Sequence, residues 1–179
     1  MKRISGEIRK KAKRIKLLLL DVDGVLTDGG IVMDNRGEEI KRFDVRDGHG
    51  IRMLMRARVQ VGFITGRSSR VVTHRAKDLG IRIVYQKVYN KIEVYQKIKR
   101  RTGLQDQEIA YVGDDIVDLP ILRKVGLAMT VRDCWTGLKP LVDYVTIREG
   151  GRGAVREIVE LLLRAQGKWG EITRRYYGN

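Results

Sequence analysis

From Lys16 onward the chain alternates short apolar runs with amphipathic stretches, and this alternation limits the fold more than any single residue does. The runs are Lys16–Leu20, Val59–Ile64, Ile81–Val84, Ile109–Val112, Leu127–Met129 and Tyr144–Thr146. Each is too short for a helix and mostly apolar, as strands buried on both faces of a parallel sheet must be. Between them the period changes: Val72, Ala76 and Leu79 stand at i, i+4 and i+7, and Val155, Ile158, Val159 and Leu162 form one helical stripe. Strands and helices in this order predict an α/β fold, a Rossmann-like open parallel sheet with helices on both faces. No internal repeat or low-complexity linker interrupts it, so a single domain over 1–179 is expected.

Residues 29–43 break the pattern. Ile31-Val32-Met33 and Glu39-Ile40-Lys41-Arg42-Phe43 flank the turn-forming Asp34-Asn35-Arg36-Gly37, which predicts a β-hairpin projecting from the sheet's edge after the first strand. At the other end Gly167-Lys168-Trp169-Gly170 opens a tail over about 167–179, closing in Tyr176-Tyr177-Gly178-Asn179. With no evident place in the core, it is expected to be mobile or docked on a neighbour.

The chain carries 37 basic and 22 acidic side chains, a formal net charge of +15, enough to draw polyanions, acidic membranes or small anionic substrates. Charge alone does not choose among them. The densest basic segment, Arg9, Lys10, Lys11, Lys13, Arg14 and Lys16, has no interleaved aromatics for base stacking and no nucleic-acid motif. It reads as a solvated helical face, and nucleic acid is not expected as a partner. No apolar run approaches the roughly 18 residues that would span a membrane, so none is expected to. The basic N-terminus is followed by no secretory h-region, and Cys134, the single cysteine, cannot form an intrachain disulfide; a reducing cytoplasm is the expected location. Richness in Lys, Arg and Glu also matches proteins that use surface ion-pair networks at high temperature.

Where the first apolar run ends stands Asp21-Val22-Asp23-Gly24-Val25-Leu26-Thr27-Asp28-Gly29, at the place where open α/β sheets put their ligands. Two aspartates one residue apart serve one centre in different roles if the chain leaves strand geometry there, as Gly24 permits. One carboxylate attacks while the other handles protons. A bare Asp-x-Asp is common in turns, but the whole nonamer resembles the first motif of the haloacid dehalogenase superfamily. The resemblance implies Asp21 as nucleophile and Asp23 as acid and base, with the Asp23 main-chain carbonyl on Mg²⁺.

The remaining motifs of that superfamily can then be sought. Thr65, ending Val61-Gly62-Phe63-Ile64-Thr65, matches the hydroxyl that holds a phosphate oxygen, a position where a helix N-cap is the plain alternative. Lys91, opening the segment with Ile92, Tyr95 and Ile98, matches the lysine that neutralises nucleophile and phosphoryl group, although Lys87, Lys97 and Lys99 lie close by. Asp114, within Gly113-Asp114-Asp115-Ile116-Val117-Asp118, matches the metal ligand. Asp21, Asp23 and Asp114 then form an all-oxygen set suited to Mg²⁺. Asp115 is open to a capping role and Asp118 to an orienting one.

Between Asp21 and Thr65 there is room for the hairpin and a helix but not for a cap domain, nor is there room for one after Thr65. An uncapped site leaves a small substrate in water unless another subunit covers it, so an oligomer is expected. Asp44-Val45-Arg46-Asp47-Gly48-His49-Gly50-Ile51-Arg52 and Gly150-Gly151-Arg152-Gly153-Ala154-Val155-Arg156-Glu157 narrow the resemblance. The chain is similar to the 3-deoxy-D-manno-octulosonate 8-phosphate phosphatase family. That resemblance implies removal of phosphate from this sugar acid through a phospho-aspartate, in lipopolysaccharide precursor biosynthesis. It also implies a homotetramer in which hairpins associate and adjoining subunits close the sites.

By matching positions, the resemblance places Asp23, Asp44, Val45, Arg46, Asp47, Gly48, Arg52, Arg67, Arg75 and Lys91 at the substrate, several across a subunit boundary. Arginine grips a phosphate or a carboxylate bidentately, and Asp44 and Asp47 are suited to accept sugar hydroxyl hydrogens. Arg152 stays open between docking at a neighbouring site and a turn role for its glycines. His49 and His74 receive no catalytic role.

Three other readings compete with this one. A related phosphatase acting on another phosphorylated nonulosonate or sugar acid would keep every motif. A phospho-accepting receiver also combines aspartates, Thr, Lys and Mg²⁺, but its acidic pair precedes the phosphorylated Asp, whereas here the nucleophile comes first. An idle nucleic-acid-binding relative rests on positive charge alone.

Overall fold

A computed structural model of the chain describes residues 4–178; Asn179, placed in the expected tail, and residues 1–3 lie outside the described residues. The basic segment forms α1 (Gly6–Lys13), capped by the Ser5 side chain, which accepts from the Ile8 N–H at 3.2 Å. It buries Ala12 and packs Ile8 against the core. There follow β1 (Leu17–Leu20), β2 (Val32–Met33), β3 (Glu39–Ile40), α2 (Val45–Arg56), β4 (Gln60–Ile64), α3 (Arg70–Leu79), β5 (Ile83–Tyr85) and α4 (Lys91–Thr102). The chain continues through β6 (Ile109–Val112), α5 (Leu119–Leu122), β7 (Leu127–Thr130), β8 (Tyr144–Val145), α6 (Ala154–Ala165) and α7 (Trp169–Arg174).

Six strands make one parallel sheet in the order β5-β4-β1-β6-β7-β8, as the apolar runs predict. β1 lies between β4 and β6, its Leu20 paired with Phe63 on one side and Val112 on the other. All four β1 leucines are fully buried, because helices cover both faces. On one side α2 packs on α6, with α1 and α3 beside them; on the other α4 packs on α5. Among the described residues no helix is long and apolar enough to cross a membrane.

β1 and β4 begin one residue later than expected and β5 two residues later. Ile81 belongs to the end of α3: the Gly80 N–H bonds to the Lys77 carbonyl and the Ile81 N–H to the Ala76 carbonyl, with Gly80 left-handed. This pairing satisfies carbonyls that the helix end would otherwise orphan, so the first residue of the apolar run is taken by the cap and β5 starts at Ile83.

The hairpin forms as an antiparallel ribbon with Val32 opposite Ile40 and Met33 opposite Glu39. Asp34 sets its turn, its Oδ1 accepting from the Arg36 and Glu38 N–H groups at 2.9 Å each. Ile31, Val32, Met33 and Ile40 are all more than half exposed. No cap domain stands between β1 and β4 or between β4 and β5.

Candidate active site

Buried parallel strands end with their carboxyl edges aligned, and the side chains just beyond them share one mouth. Asp21 follows β1, Thr65 follows β4, Asp114 and Asp118 follow β6, and Lys91 is the first residue of α4. A cavity of about 430 Å³ is lined there by Asp21, Asp23, Thr65, Arg67, Lys91 and Asp114. A larger one, about 760 Å³, lies elsewhere among Arg46, Arg132, Arg148, Arg152 and Arg156 and contains none of these groups.

Lys91 is the centre of the first cavity's floor. Its ammonium lies 2.7 Å from Asp21 Oδ2, 2.7 Å from Asp118 Oδ1 and 3.4 Å from the Tyr111 hydroxyl, which uses all three of its hydrogens. Burial acts to lower its pKa, but the Asp21 and Asp118 charges overcome that and hold it above the ordinary lysine value. It is therefore a fixed positive charge.

Asp118 has no exposed surface. Its Oδ1 accepts from Lys91 and from the Tyr111 hydroxyl at 2.5 Å, and its Oδ2 accepts from the Asp114 and Asp115 N–H groups at 3.0 and 3.3 Å. Four bonds saturate a carboxylate. Carboxylate oxygens of Asp21, Asp114 and Asp118 lie within 4.8 Å of one another and could hold a metal ion. Because Asp118 is saturated, Asp21 and Asp114 are the two free to turn toward a cation, while Asp118 orients Lys91 and the β6 loop.

The electrostatics of the donor set fit a divalent cation. Burial, with the Asp118 charge next, pushes Asp21 up to about 7 against the pull of Lys91. Burial followed by Asp21 and Asp118 pushes Asp114 up to about 7. Three carboxylates face one ammonium here, and hard oxygen donors with surplus negative charge suit Mg²⁺. Gly24 is what lets the two loops meet: it is left-handed, and a Cβ there would lie 2.0 Å from Asp114 Oδ2.

Thr65 is buried, and its hydroxyl accepts from the Arg67 N–H at 3.3 Å. The N-cap of α3 is Ser69, so Thr65 is not held there by helix capping. Asp115 does cap, its side chain accepting from the Ile116 N–H at 2.7 Å. The Asp23 carboxylate stands apart from the three-carboxylate cluster and is ion-paired with Lys41.

The expected substrate residues divide. Asp23, Arg67 and Lys91 line the cavity with Asp21; the others do not. Asp44 caps α2 and pairs with Arg46 at 2.6 Å, and Val45 projects beside them, 78% exposed. Arg52 and Arg75 both bond Asp78, Arg75 also lying 5.4 Å over the Phe43 ring against Gly48.

Asp47, expected to accept sugar hydroxyls, is instead 1% exposed and turned to the start of α6. There it accepts from the Gly153 N–H at 3.2 Å and the Arg156 N–H at 2.7 Å, and burial pushes it up to about 6. The glycines around Arg152 have a structural task too. Gly150 packs so tightly under the loop after β1 that a Cβ would meet the Gly24 carbonyl at 1.8 Å, while Arg152 itself is exposed near Glu149. The tail folds back on its own chain, the Tyr176 hydroxyl lying 2.8 Å from both His49 Nε2 and Arg56 Nη2.

Two residues of this region escaped the sequence reading. Tyr111 sits inside an apolar strand, where its buried hydroxyl was a signal that a polar partner must lie nearby. Lys41 was read only as part of a hairpin flank, and nothing local marks it as turning inward.

No family model matches the chain. Over 168 residues it is 48% identical to the 3-deoxy-D-manno-octulosonate 8-phosphate phosphatase of Escherichia coli strain K12, covering 94% of this chain and 89% of that one. The crystal structure of the Yersinia pestis phosphatase of the same name matches with a TM-score of 0.91 at 44% identity, covering 92% and 89% of the two chains. The Moraxella catarrhalis phosphatase, solved with a magnesium ion, a phosphate ion and a KDO molecule, matches with a TM-score of 0.93 at 39% identity, covering 95% and 98%.

Proposed function

Because the chain belongs to the 3-deoxy-D-manno-octulosonate 8-phosphate phosphatases of the haloacid dehalogenase superfamily, we propose that it hydrolyses that phosphomonoester through a phospho-aspartate on Asp21. The observation that carries this reading is the buried Lys91 ammonium held between Asp21 and Asp118 at the mouth of the sheet. It leaves one Asp21 oxygen to attack while a fixed positive charge faces the phosphoryl group.

In the first half-reaction an Asp21 oxygen attacks phosphorus in line, the bond from phosphorus to the sugar oxygen breaks, and Asp23 gives that oxygen a proton. In the second, Asp23 takes a proton from water, the hydroxide attacks phosphorus, and Asp21 is released with inorganic phosphate. Thr65 is placed to hold a phosphoryl oxygen, and Lys91 to balance charge in both halves. Mg²⁺, held by Asp21, Asp114 and the Asp23 carbonyl, supplies further charge neutralisation on the phosphoryl oxygens when bound.

Substrate selection is the less complete part of one chain. Arg67 alone among the expected arginines lines the cavity, so Asp44, Val45, Arg46, Gly48, Arg52 and Arg75 serve the substrate, in this reading, at a neighbouring subunit's site. The exposed apolar hairpin face supports such an assembly, and a homotetramer is the arrangement the family resemblance implies. The product would feed lipopolysaccharide biosynthesis in the cytoplasm.

The test is Mg²⁺-dependent phosphate release from 3-deoxy-D-manno-octulosonate 8-phosphate beside sugar phosphates that lack the carboxylate. A clear preference for the sugar acid is expected, and equal rates on all would defeat the substrate assignment. Asp21→Asn should lower turnover on the order of 10⁴-fold or more while circular dichroism stays unchanged, because an amide is a poor nucleophile. Retained activity would move the nucleophile elsewhere.

A further inference from the structure

Lys41 follows the last residue of β3, on a hairpin whose apolar side chains face outward, yet its own side chain is 1% exposed. Burying an ammonium group is costly unless it is paired. Its partners are the Asp23 carboxylate and Glu39 Oε1, the latter at 3.0 Å. Glu39 Oε1 also accepts from Arg67 Nη2 at 3.0 Å. Burial acts to raise the Glu39 carboxyl, but Ser69, Lys41 and Arg67 outweigh it and hold it down at about 2; of the three, Ser69 faces it without a hydrogen bond of good geometry.

Asp23, Lys41, Glu39 and Arg67 thus form a line of alternating charges across the rim of the cavity. It ties the loop after β1 to the loop after β4 through the base of the hairpin. A two-stranded ribbon has no need of a buried lysine for its own stability, since a solvated lysine on the same strand would cost nothing to keep charged. The side chain is turned inward toward the site.

We propose that Lys41 is a positioning residue for Asp23, holding its carboxylate at the rim in the orientation from which it reaches the leaving oxygen and then the water, with Glu39 holding Lys41. This rests on the reading that Asp23 carries the protons. The two transfers need hydrogen-bond reach from one side chain, and a misplacement near 1 Å costs on the order of 10²-fold. The hairpin therefore bears on the chemistry of its own chain, whatever it does between chains.

The experiment is a double-mutant cycle followed by phosphate release from 3-deoxy-D-manno-octulosonate 8-phosphate at saturating Mg²⁺, with Lys41→Met, Lys41→Arg, Asp23→Asn and the pair Lys41→Met with Asp23→Asn. Lys41→Met should lower kcat on the order of 10²-fold with KM little changed, and Lys41→Arg should recover most of the loss. In the Asp23→Asn background Lys41→Met should change kcat no further. If Asp23→Asn is crippled while Lys41→Met turns over at the wild-type rate, or if Lys41→Met costs the same factor in both backgrounds, the positioning role is wrong and the Asp23 reading stands. Wild-type turnover by Asp23→Asn would remove both.

Discussion

Lys91 and Lys41 make an instructive pair. Each side chain is almost completely buried, 4% and 1% exposed, and each ammonium lies between two carboxylates, one of which, Asp21 or Asp23, lines the same cavity. Lys91 stands on the first turn of a 12-residue helix, and its partners follow central strands of the sheet. Lys41 stands just past the end of a ribbon of two strands of two residues each. The floor of the site is thus built into the hydrophobic core, where every bond is enforced by packing. The rim is built on an element that depends on little beyond its own turn and these ion pairs. The fixed charge of the floor is held by the core, whereas the position of Asp23 at the rim rests on its ion pair with Lys41.

The sharpest way to break this contrast is Asp118→Ala. Removing it leaves Lys91, the Tyr111 hydroxyl and two main-chain N–H groups without a shared acceptor in a closed environment, at an expected cost of about 3 kcal/mol. Urea unfolding measures it, and a change within error would mean the floor is not the rigid part.

A smaller effect comes from protons on the floor. Burial and neighbouring carboxylates push Asp21 and Asp114 up to about 7 in the folded chain against 3.8 ordinarily. Between about 4 and about 7 the folded chain holds protons that the unfolded chain has released. Metal-free protein therefore loses stability as pH rises through that window. Mg²⁺ held by Asp21 and Asp114 competes with both protons, so its affinity should be on the order of 100-fold weaker at pH 6 than at pH 8, read by titration calorimetry. Equal affinities would show that these carboxyls do not hold the ion.

The smallest effect on the chain's own fold is expected at the rim. Val32→Asp with Ile40→Lys exchanges exposed side chains, so unfolding free energy should stay within about 0.5 kcal/mol. Sedimentation should nonetheless show a smaller assembly. An unchanged assembly would detach the hairpin from subunit contact, and a large stability loss would make it part of the core.

Legibility in the sequence follows the same division. Asp21, Thr65, Lys91 and Asp114 were readable because each sits at the end of an apolar run or the start of a helical stripe, and parallel topology brings all such ends to one edge. The contacts of Asp47 were not legible because its partners are the main-chain groups of Gly153 and Arg156, at the start of a helix far along the chain. Nothing beside it distinguishes a carboxylate that caps a distant helix from one that meets a sugar. Lys41 was passed over for the converse reason, since a lysine in a polar flank ordinarily points to water.

By itself the sequence determined the layered fold and the strand edge at which Asp21, Thr65, Lys91 and Asp114 come together. Periodic burial and residue type are local properties that hydrophobicity and valence dictate directly. Only the tertiary structure decided that Asp118 is saturated, that Asp47 belongs to α6, and that the hairpin sends Lys41 to Asp23. Those outcomes depend on which charges are left to satisfy one another once water is excluded, and that is settled by contacts between segments the sequence keeps apart.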